Sequence, residues 1–147
     1  MPAAFGRAEE IIIGDRKLQI FLVKNPAGFN QVIQTYRAEP NSSPTLILVN
    51  DLIADGRDVS WLWDVAFEDL PEQTRLIAGG TRAYDLALRL KYAEIATEPV
   101  TDQAKAVERL IEAIPHGGKG IILPTYTAML ALRRELSKRT QLVGMDQ

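Results

Sequence analysis

Three short, uninterrupted apolar runs limit the folds that are open to this sequence. The runs are Thr45–Val49, Leu76–Ala78 and Gly120–Leu123, and a helical pattern follows the last two within a few residues. Strands that are apolar on both faces are typical of parallel sheets with helices on both sides. Parallel neighbours need crossover connections, which helices joined by short loops provide. The sequence therefore predicts a three-layer, Rossmann-like α/β fold with a mostly parallel sheet.

The N-terminal region and the helical patterns complete this prediction. Ile11–Ile13 and Leu18–Val23 flank the turn formers Gly14 and Asp15, which predicts a β-hairpin that leads into a buried strand. Asn25 is predicted to cap a first helix that has a proline in its first turn. Helical spacing of apolar residues predicts three further helices, over Thr81–Ile95, Thr101–Ile114 and Thr125–Arg139.

Composition narrows the class of protein. The 147 residues, 46% hydrophobic and 24% charged, fit one globular domain. A net charge of -2 disfavours binding to nucleic acid. The absence of cysteine excludes a disulfide, a thiolate zinc site and a cysteine nucleophile of the chain's own. Without a signal-peptide pattern or a membrane-length apolar run, we expect a cytoplasmic protein with no transmembrane segment.

Polar residues follow the predicted strands. In open α/β sheets, ligands bind beyond the carboxyl ends of the strands, so these residues are candidates for a site. We expect the loops that carry them to converge on one edge of the sheet. In chain order the candidates are Lys24, Asn25, Asn50, Asp51, Thr81, Arg82 and Tyr126.

The densest group of candidates is the segment 50–64, here called the acidic-aromatic segment. It holds four carboxylates, Arg57 and both tryptophans of the chain. Each residue also has a structural interpretation: Asp51 and Asp55 as turn formers, Asp58 or Ser60 as a helix cap, and the tryptophans as core. Together, bulky aromatics beside several acids favour an interface or a site. The residues concerned are Asp51, Asp55, Asp58, Asp64, Trp61 and Trp63.

Other motifs give weaker indications. Carboxylates could hold Mg²⁺, but the spacing of a calcium loop is absent and we predict no metal site. Gly79-Gly80 precedes a helix and indicates either an anion or carboxylate contact or a tight turn with Thr81 as the cap. Gly117-Gly118-Lys119 lacks the spacing of a phosphate loop, so we expect no cofactor bound by this chain alone. His116 is interpreted as structural.

Five stretches carry a family resemblance: Phe5–Glu9, Leu22–Asn30, Asn50–Asp64, Arg82–Tyr92 and Leu123–Met129. In this order, over nearly the whole chain, they resemble the C-terminal domain of the MurT subunit of lipid II isoglutaminyl synthase. The resemblance implies one domain over residues 1–147, with residues 1–9 as a remnant of the junction with a Mur ligase central domain. It also implies a GatD-like glutaminase as partner and lipid II as substrate of the complete enzyme.

The resemblance further implies an ATP- and Mg-dependent reaction that amidates the D-glutamate of lipid II to D-isoglutamine. An aspartate of this domain is then expected to complete the Cys–His pair of the glutaminase, with Asp58 as first candidate and Asp64 as second. The isolated chain is expected to be inactive. The alternative is a Rossmann-like nucleotide- or protein-binding module without catalysis. The expected interface or substrate-binding residues are Lys24, Asn25, Asn50, Asp51, Asp55, Arg57, Trp61, Trp63, Thr81, Arg82 and Tyr126.

Overall fold

A computed structural model describes residues 8–37, 42–72 and 74–144, with side chains up to residue 139. The predicted junction over residues 1–9 therefore lies mostly outside the described residues. Within the described part the chain forms six strands and four α-helices. In order these are β1 (Glu9–Ile13), β2 (Arg16–Ile20), α1 (Pro26–Arg37), β3 (Thr45–Leu48), β4 (Leu76–Gly79), α2 (Ala83–Tyr92), β5 (Pro99–Val100), α3 (Gln103–Ala113), β6 (Lys119–Pro124) and α4 (Tyr126–Gly144).

The strands form one sheet in the order β1-β2-β6-β3-β4-β5. The first two strands pair antiparallel around Gly14, whose φ is 62°, and the remaining pairs are parallel. β6 lies between β2 and β3, with Gly120 opposite Leu18 and Ile122 opposite Leu46. The predicted hairpin and mostly parallel sheet are confirmed. The sequence analysis missed β5, because a strand of two residues has no periodicity to detect.

Helices cover both faces of the sheet, as predicted. On one face, α1 and α2 pack over a core that includes Phe29, Ile33, Phe67 and Leu86. The rings of Phe29 and Phe67 meet edge to face, with centroids 5.2 Å apart. On the opposite face, α3 and α4 bury the residues Val107, Leu110, Leu132 and Leu136. The sheet is therefore the middle of three layers.

The helix starts follow their capping residues. Asn25 caps α1 as predicted, because its Oδ1 accepts a hydrogen bond from the N–H of Gly28 at 2.8 Å. The predicted range of α2 is wrong at both ends. The helix begins after Arg82, so Thr81 is not its cap. The helix ends at Tyr92, and Glu94 has a φ of 63° that is incompatible with continuing it.

The acidic-aromatic segment continues into a long connection between β3 and β4 that contains three short 3₁₀ helices. These are Ile53–Asp55, Ser60–Asp64 and Phe67–Asp69. The prediction that Asp58 or Ser60 caps a following helix is wrong. Asp58 precedes a 3₁₀ helix that has no side-chain cap, and its carboxylate instead accepts from the Ser60 N–H.

Candidate functional site

Asn50 joins three of the loops at the carboxyl edge of the sheet. Its buried side chain donates from Nδ2 to Thr127 Oγ1 at 2.9 Å, and its Oδ1 accepts from the N–H of Thr81 at 2.9 Å. Its own N–H donates to Thr125 Oγ1 at 2.9 Å. The loops that follow β3, β4 and β6 therefore converge as predicted.

Asp51 extends this group of hydrogen bonds toward α2. Its Oδ1 accepts from Thr81 Oγ1 at 3.0 Å, and its Oδ2 accepts from Arg82 Nη1 at 3.0 Å. Hydrogen bonds from Arg82 and then from Thr81 lower the pKa of the Asp51 carboxyl. Arg82 also pairs with Asp85, and these carboxylates raise the pKa of its guanidinium. Asp51 therefore does more than form a turn, because it links two loops.

Asp55 connects the acidic-aromatic segment to the first turn of α4. Its Oδ1 accepts from the N–H of Thr127 at 2.7 Å, and its Oδ2 accepts from Thr127 Oγ1 at 2.6 Å. The Oδ2 atom also accepts from the N–H of Leu52 at 3.1 Å, which is the predicted turn-forming contact. We call Asn50, Asp51, Asp55, Thr81, Arg82 and Thr127 the edge network.

Asp58 lies on the surface beside the edge network. Its Oδ1 accepts from the N–H of Ser60 at 2.9 Å. The backbone and side-chain hydrogen bonds of Ser60, followed by the charge of Arg82, lower the pKa of Asp58 and keep this carboxyl ionised at neutral pH. A groove opens next to it that is lined by Arg57, Ser60, Trp63, Arg82, Asp85 and Leu88.

Asp64, the second candidate, has a different environment. Its backbone carbonyl accepts from Asn30 Nδ2 at 3.4 Å. Its carboxylate is exposed and makes no hydrogen bond to the part of the chain that the structure describes. Both candidate acids are therefore accessible to a partner, but only Asp58 is held by a hydrogen bond to its side chain.

The two tryptophans differ in exposure. Trp61 is half-buried and packs against Phe29, with ring centroids 6.3 Å apart, so the core interpretation is right for much of its ring. Trp63 is 47% exposed and meets the ring of Tyr92 edge to face at 5.2 Å. The guanidinium carbon of Arg89 lies 5.3 Å from the centroid of Trp63. The core interpretation is therefore wrong for Trp63.

Arg89 is a buried residue that the sequence analysis missed. It is 4% exposed and donates to the carbonyls of Leu62 and Val65 at 3.0 and 2.6 Å. It also makes two hydrogen bonds of 3.0 Å to the carboxylate of Glu68. The sequence does hold a signal for this burial. Arg89 lies three residues after Leu86 and next to Leu90, so it falls within the apolar face of the helix.

At Gly79-Gly80 the structure shows the predicted alternative of a carboxylate contact. The N–H of Thr81 donates to Asn50, the N–H of Arg82 donates to the carbonyl of Val49 at 2.9 Å, and the N–H of Ala83 donates to Gly80 at 3.1 Å. These amides are therefore engaged within the chain. The carboxylate that the loop binds is that of Asp51.

The remaining candidates lie apart from the edge network. Lys24 and Asn25 are exposed at the start of α1, and Tyr126 is exposed at the start of α4. His116 lies in the loop before β6 with its Nδ1 3.2 Å from Asp15 Oδ2 of the hairpin. Thr125 was among the residues predicted to follow the last strand, but Thr127 was missed as a site residue, although a second threonine beside Tyr126 was a usable signal.

Two properties of the described residues bear on ligands and membranes. No three histidines, cysteines or acids among them are grouped closely enough to hold a metal ion. In the same part of the chain, no helix combines the length and the apolar character needed to cross a membrane.

Comparison with known proteins gives the family. Residues 22–129 match the family model described as "MurT ligase C-terminal". The chain belongs to this MurT C-terminal family. The match begins at residue 22, two residues after the end of β2, and ends at residue 129 in α4. It therefore includes the whole edge network and Asp58.

Two bacterial relatives carry the same name. The chain is 37% identical over 144 residues to the protein named lipid II isoglutaminyl synthase (glutamine-hydrolyzing) subunit MurT of Streptococcus pneumoniae, covering 93% of this chain and 31% of the relative. It is 33% identical over 125 residues to the protein of that name from Staphylococcus aureus strain COL, covering 84% of this chain and 28% of the relative. This MurT C-terminal chain therefore spans about a third of the length of these relatives.

Proposed function

We propose that this chain acts as the C-terminal domain of a MurT-like subunit in a glutamine-hydrolysing amidotransferase. The reaction converts the D-glutamate of lipid II to D-isoglutamine, using ATP and Mg²⁺ bound by a Mur ligase central domain and ammonia released by a GatD-like glutaminase. Family membership and the names of the relatives support this assignment. The chain itself contributes the glutaminase contact and one acid to the partner's active site.

The position of Asp58 carries the proposal. An acid that orients a partner's histidine must be exposed, ionised and held in one place. Asp51 and Asp55 direct their oxygens into the edge network, whereas Asp58 lies on the surface and is held by the Ser60 N–H. Asp58 accepts a hydrogen bond from one nitrogen of the partner's imidazole, leaving the other nitrogen free to activate the cysteine thiol.

The test compares Asp58→Asn with Asp64→Asn in the complex with the GatD-like glutaminase. We expect Asp58→Asn to assemble normally and to lose glutamine hydrolysis by about 10⁴-fold, because an amide does not hold the required tautomer. Loss of glutamine hydrolysis in Asp64→Asn alone would assign the orienting role to Asp64. Normal turnover by both variants would refute the triad contribution.

Trp63 is the proposed contact residue of the glutaminase interface. Aromatic residues that are partly exposed beside charged groups are typical centres of protein interfaces. Trp63→Ala is expected to weaken the complex by about thirtyfold or more, corresponding to about 2 kcal/mol. Ile12→Ala is the matched control, because Ile12 is 51% exposed on β1 at the far edge of the sheet. Equal affinity of both variants by calorimetry would remove Trp63 from the interface.

The same measurements separate this function from a nucleotide- or protein-binding module without catalysis. Such a module would bind its partner without changing the partner's hydrolysis of glutamine. We therefore expect the wild-type chain, as part of its complete subunit, to raise the glutaminase rate of the GatD-like protein. A partner that hydrolyses glutamine equally well alone would favour the module.

A further inference from the structure

We propose that Asp55 is a positioning residue that holds Asp58 in the place where it meets the partner's histidine. This inference rests on the proposed function and deepens it. The contact that carries it is the pair of hydrogen bonds between the Asp55 carboxylate and the backbone and hydroxyl of Thr127, in the first turn of α4. We call this contact the Asp55–Thr127 tether.

The acidic-aromatic segment has little apolar burial near Asp58 to fix its position. The 3₁₀ helix Ile53–Asp55 contains no buried residue. Leu52 is 49% exposed and Ile53 is 85% exposed. Burial resumes at Val59, which is 8% exposed. Hydrogen bonds therefore contribute more than apolar packing to the position of residues 52–57, and Asp58 lies between these residues and the buried Val59.

Among residues 52–58, the tether supplies the hydrogen bonds that reach α4. Asp55 precedes Asp58 by three residues, and Gly56 between them has a φ of 92°. The Asp55 carboxylate also accepts from the N–H of Leu52, so it stabilises the turn that contains Asp55 itself. Because α4 follows central strand β6 directly, the tether places Asp58 relative to the rigid part of the fold.

Thr127 connects the tether to the edge network. Its hydroxyl donates to Asp55 and accepts from Asn50 Nδ2 at 2.9 Å, and Asn50 is itself bound to the backbone of Thr81. A side chain that both donates and accepts needs the hydroxyl, which valine lacks and serine retains. Thr127→Val therefore removes the hydroxyl half of the tether with little change in side-chain size, while the N–H of residue 127 can still donate to Asp55.

The test measures kcat and KM for glutamine hydrolysis in the complete two-subunit complex. Asp55→Ala is expected to lower kcat by about 10²-fold with KM for glutamine unchanged, since a displacement of about 1 Å costs that much. Thr127→Val keeps one of the two hydrogen bonds and is expected to lower kcat by a smaller factor. Thr127→Ser is expected to restore kcat. Thr97→Val is the matched control, because it removes the hydrogen bond of 2.7 Å from Thr97 Oγ1 to the carbonyl of Leu76, at the start of β4 and so at the opposite edge of the sheet. It should leave kcat unchanged.

A second readout uses the chain without its partner. Amide hydrogen exchange of residues 56–59 should speed up in Asp55→Ala and Thr127→Val and stay unchanged in Thr127→Ser and Thr97→Val. Wild-type kcat in both Asp55→Ala and Thr127→Val, with a defective Asp58→Asn, would overturn the positioning role alone. Wild-type kcat in Asp58→Asn would instead overturn the proposed function of that residue. If Asp55→Ala fails to fold, the comparison of Thr127→Val with Thr127→Ser decides the result.

Discussion

At the scale of single residues, Arg89 is the charged group most deeply buried among the described residues. Its guanidinium satisfies two carbonyls of the connection between β3 and β4 and pairs with Glu68, which is half exposed. The same group contacts the rings of Trp63 and Phe67. A cation at this position therefore holds the acidic-aromatic segment against α2 through hydrogen bonds and ring contacts together.

Replacing Arg89 tests this role. Arg89→Ala removes one donor from each of two carbonyls, which keep their backbone donors, and it also removes the guanidinium from its buried place against Trp63 and Phe67. We therefore expect the free energy of unfolding to fall by about 2–3 kcal/mol. Arg109→Ala removes an exposed partner of Glu98 and is expected to cost at most about 1 kcal/mol. Urea unfolding of both variants gives the comparison. If both variants lose a similarly small free energy of unfolding, Arg89 does not hold the connection between β3 and β4 against α2.

Asp51 determines part of the dependence of stability on pH. Its folded-state pKa is lowered, so its contribution to stability is complete above the unfolded value of about 3.9 and is lost as the pH falls through the folded value. Stability should therefore decrease as the pH falls below about 4, and Asp51→Asn should reduce this decrease. Thermal unfolding at several pH values measures it. Parallel pH profiles for the two proteins would contradict the prediction.

The sequence was informative about which residues meet, and less so about what they contact. It placed Asn50, Asp51, Thr81 and Arg82 together because strand ends in a parallel sheet share an edge. It did not identify Thr127, since a helical pattern marks the apolar face and leaves the partners of polar residues undetermined. It named Asp55 as a turn former or an interface residue but not as a partner of α4, because that contact depends on tertiary distance.

At the scale of elements, the tight turn after β4 requires glycine at position 80. Gly80 has a φ of 96°, and a Cβ added there would lie 2.4 Å from the carbonyl oxygen of Val49. The N–H of Arg82 donates to that same oxygen, so the two loops are in direct backbone contact. Close approach of the backbones is what permits Asn50 to reach Thr81.

Gly80→Ala is expected to destabilise the fold far more than an alanine at another left-handed glycine. Gly117 has a φ of 75° and open space around its added Cβ, so Gly117→Ala should cost only the backbone strain of about 1–2 kcal/mol. Gly80→Ala adds a clash with main-chain atoms that cannot move independently. The two midpoints of urea unfolding give the test. Equal midpoints would show that the turn can open to accept a Cβ.

Boundaries of elements were harder to predict than their existence. The α2 helix was predicted from Thr81 because threonine is a good cap, but its hydroxyl binds Asp51 and the helix begins later. The short 3₁₀ helices of the long connection have no periodic apolar face from which to predict them. Their positions follow from Arg89 and from the tether to α4.

At the scale of the whole molecule, the chain is expected not to bind Mg-ATP on its own. The sequence has no phosphate loop, and the amides at the start of α2 are engaged by the chain itself. Calorimetry should detect no binding in the micromolar range. The two-subunit complex that includes the central domain is the positive control. Micromolar affinity of the isolated chain would overturn the expectation and favour a nucleotide-binding module.

The central position of β6 has a consequence for biosynthesis. Residues 119–124 emerge from the ribosome after every other described strand, yet they join β2 to β3. Until then the nascent chain carries a hairpin and a separate β3–β4–β5 group, each with an unpaired edge that can associate with other chains. Parallel pairing over such sequence separations is slow. We therefore expect the chain to complete its sheet only late in translation and to depend on chaperones that shield both halves.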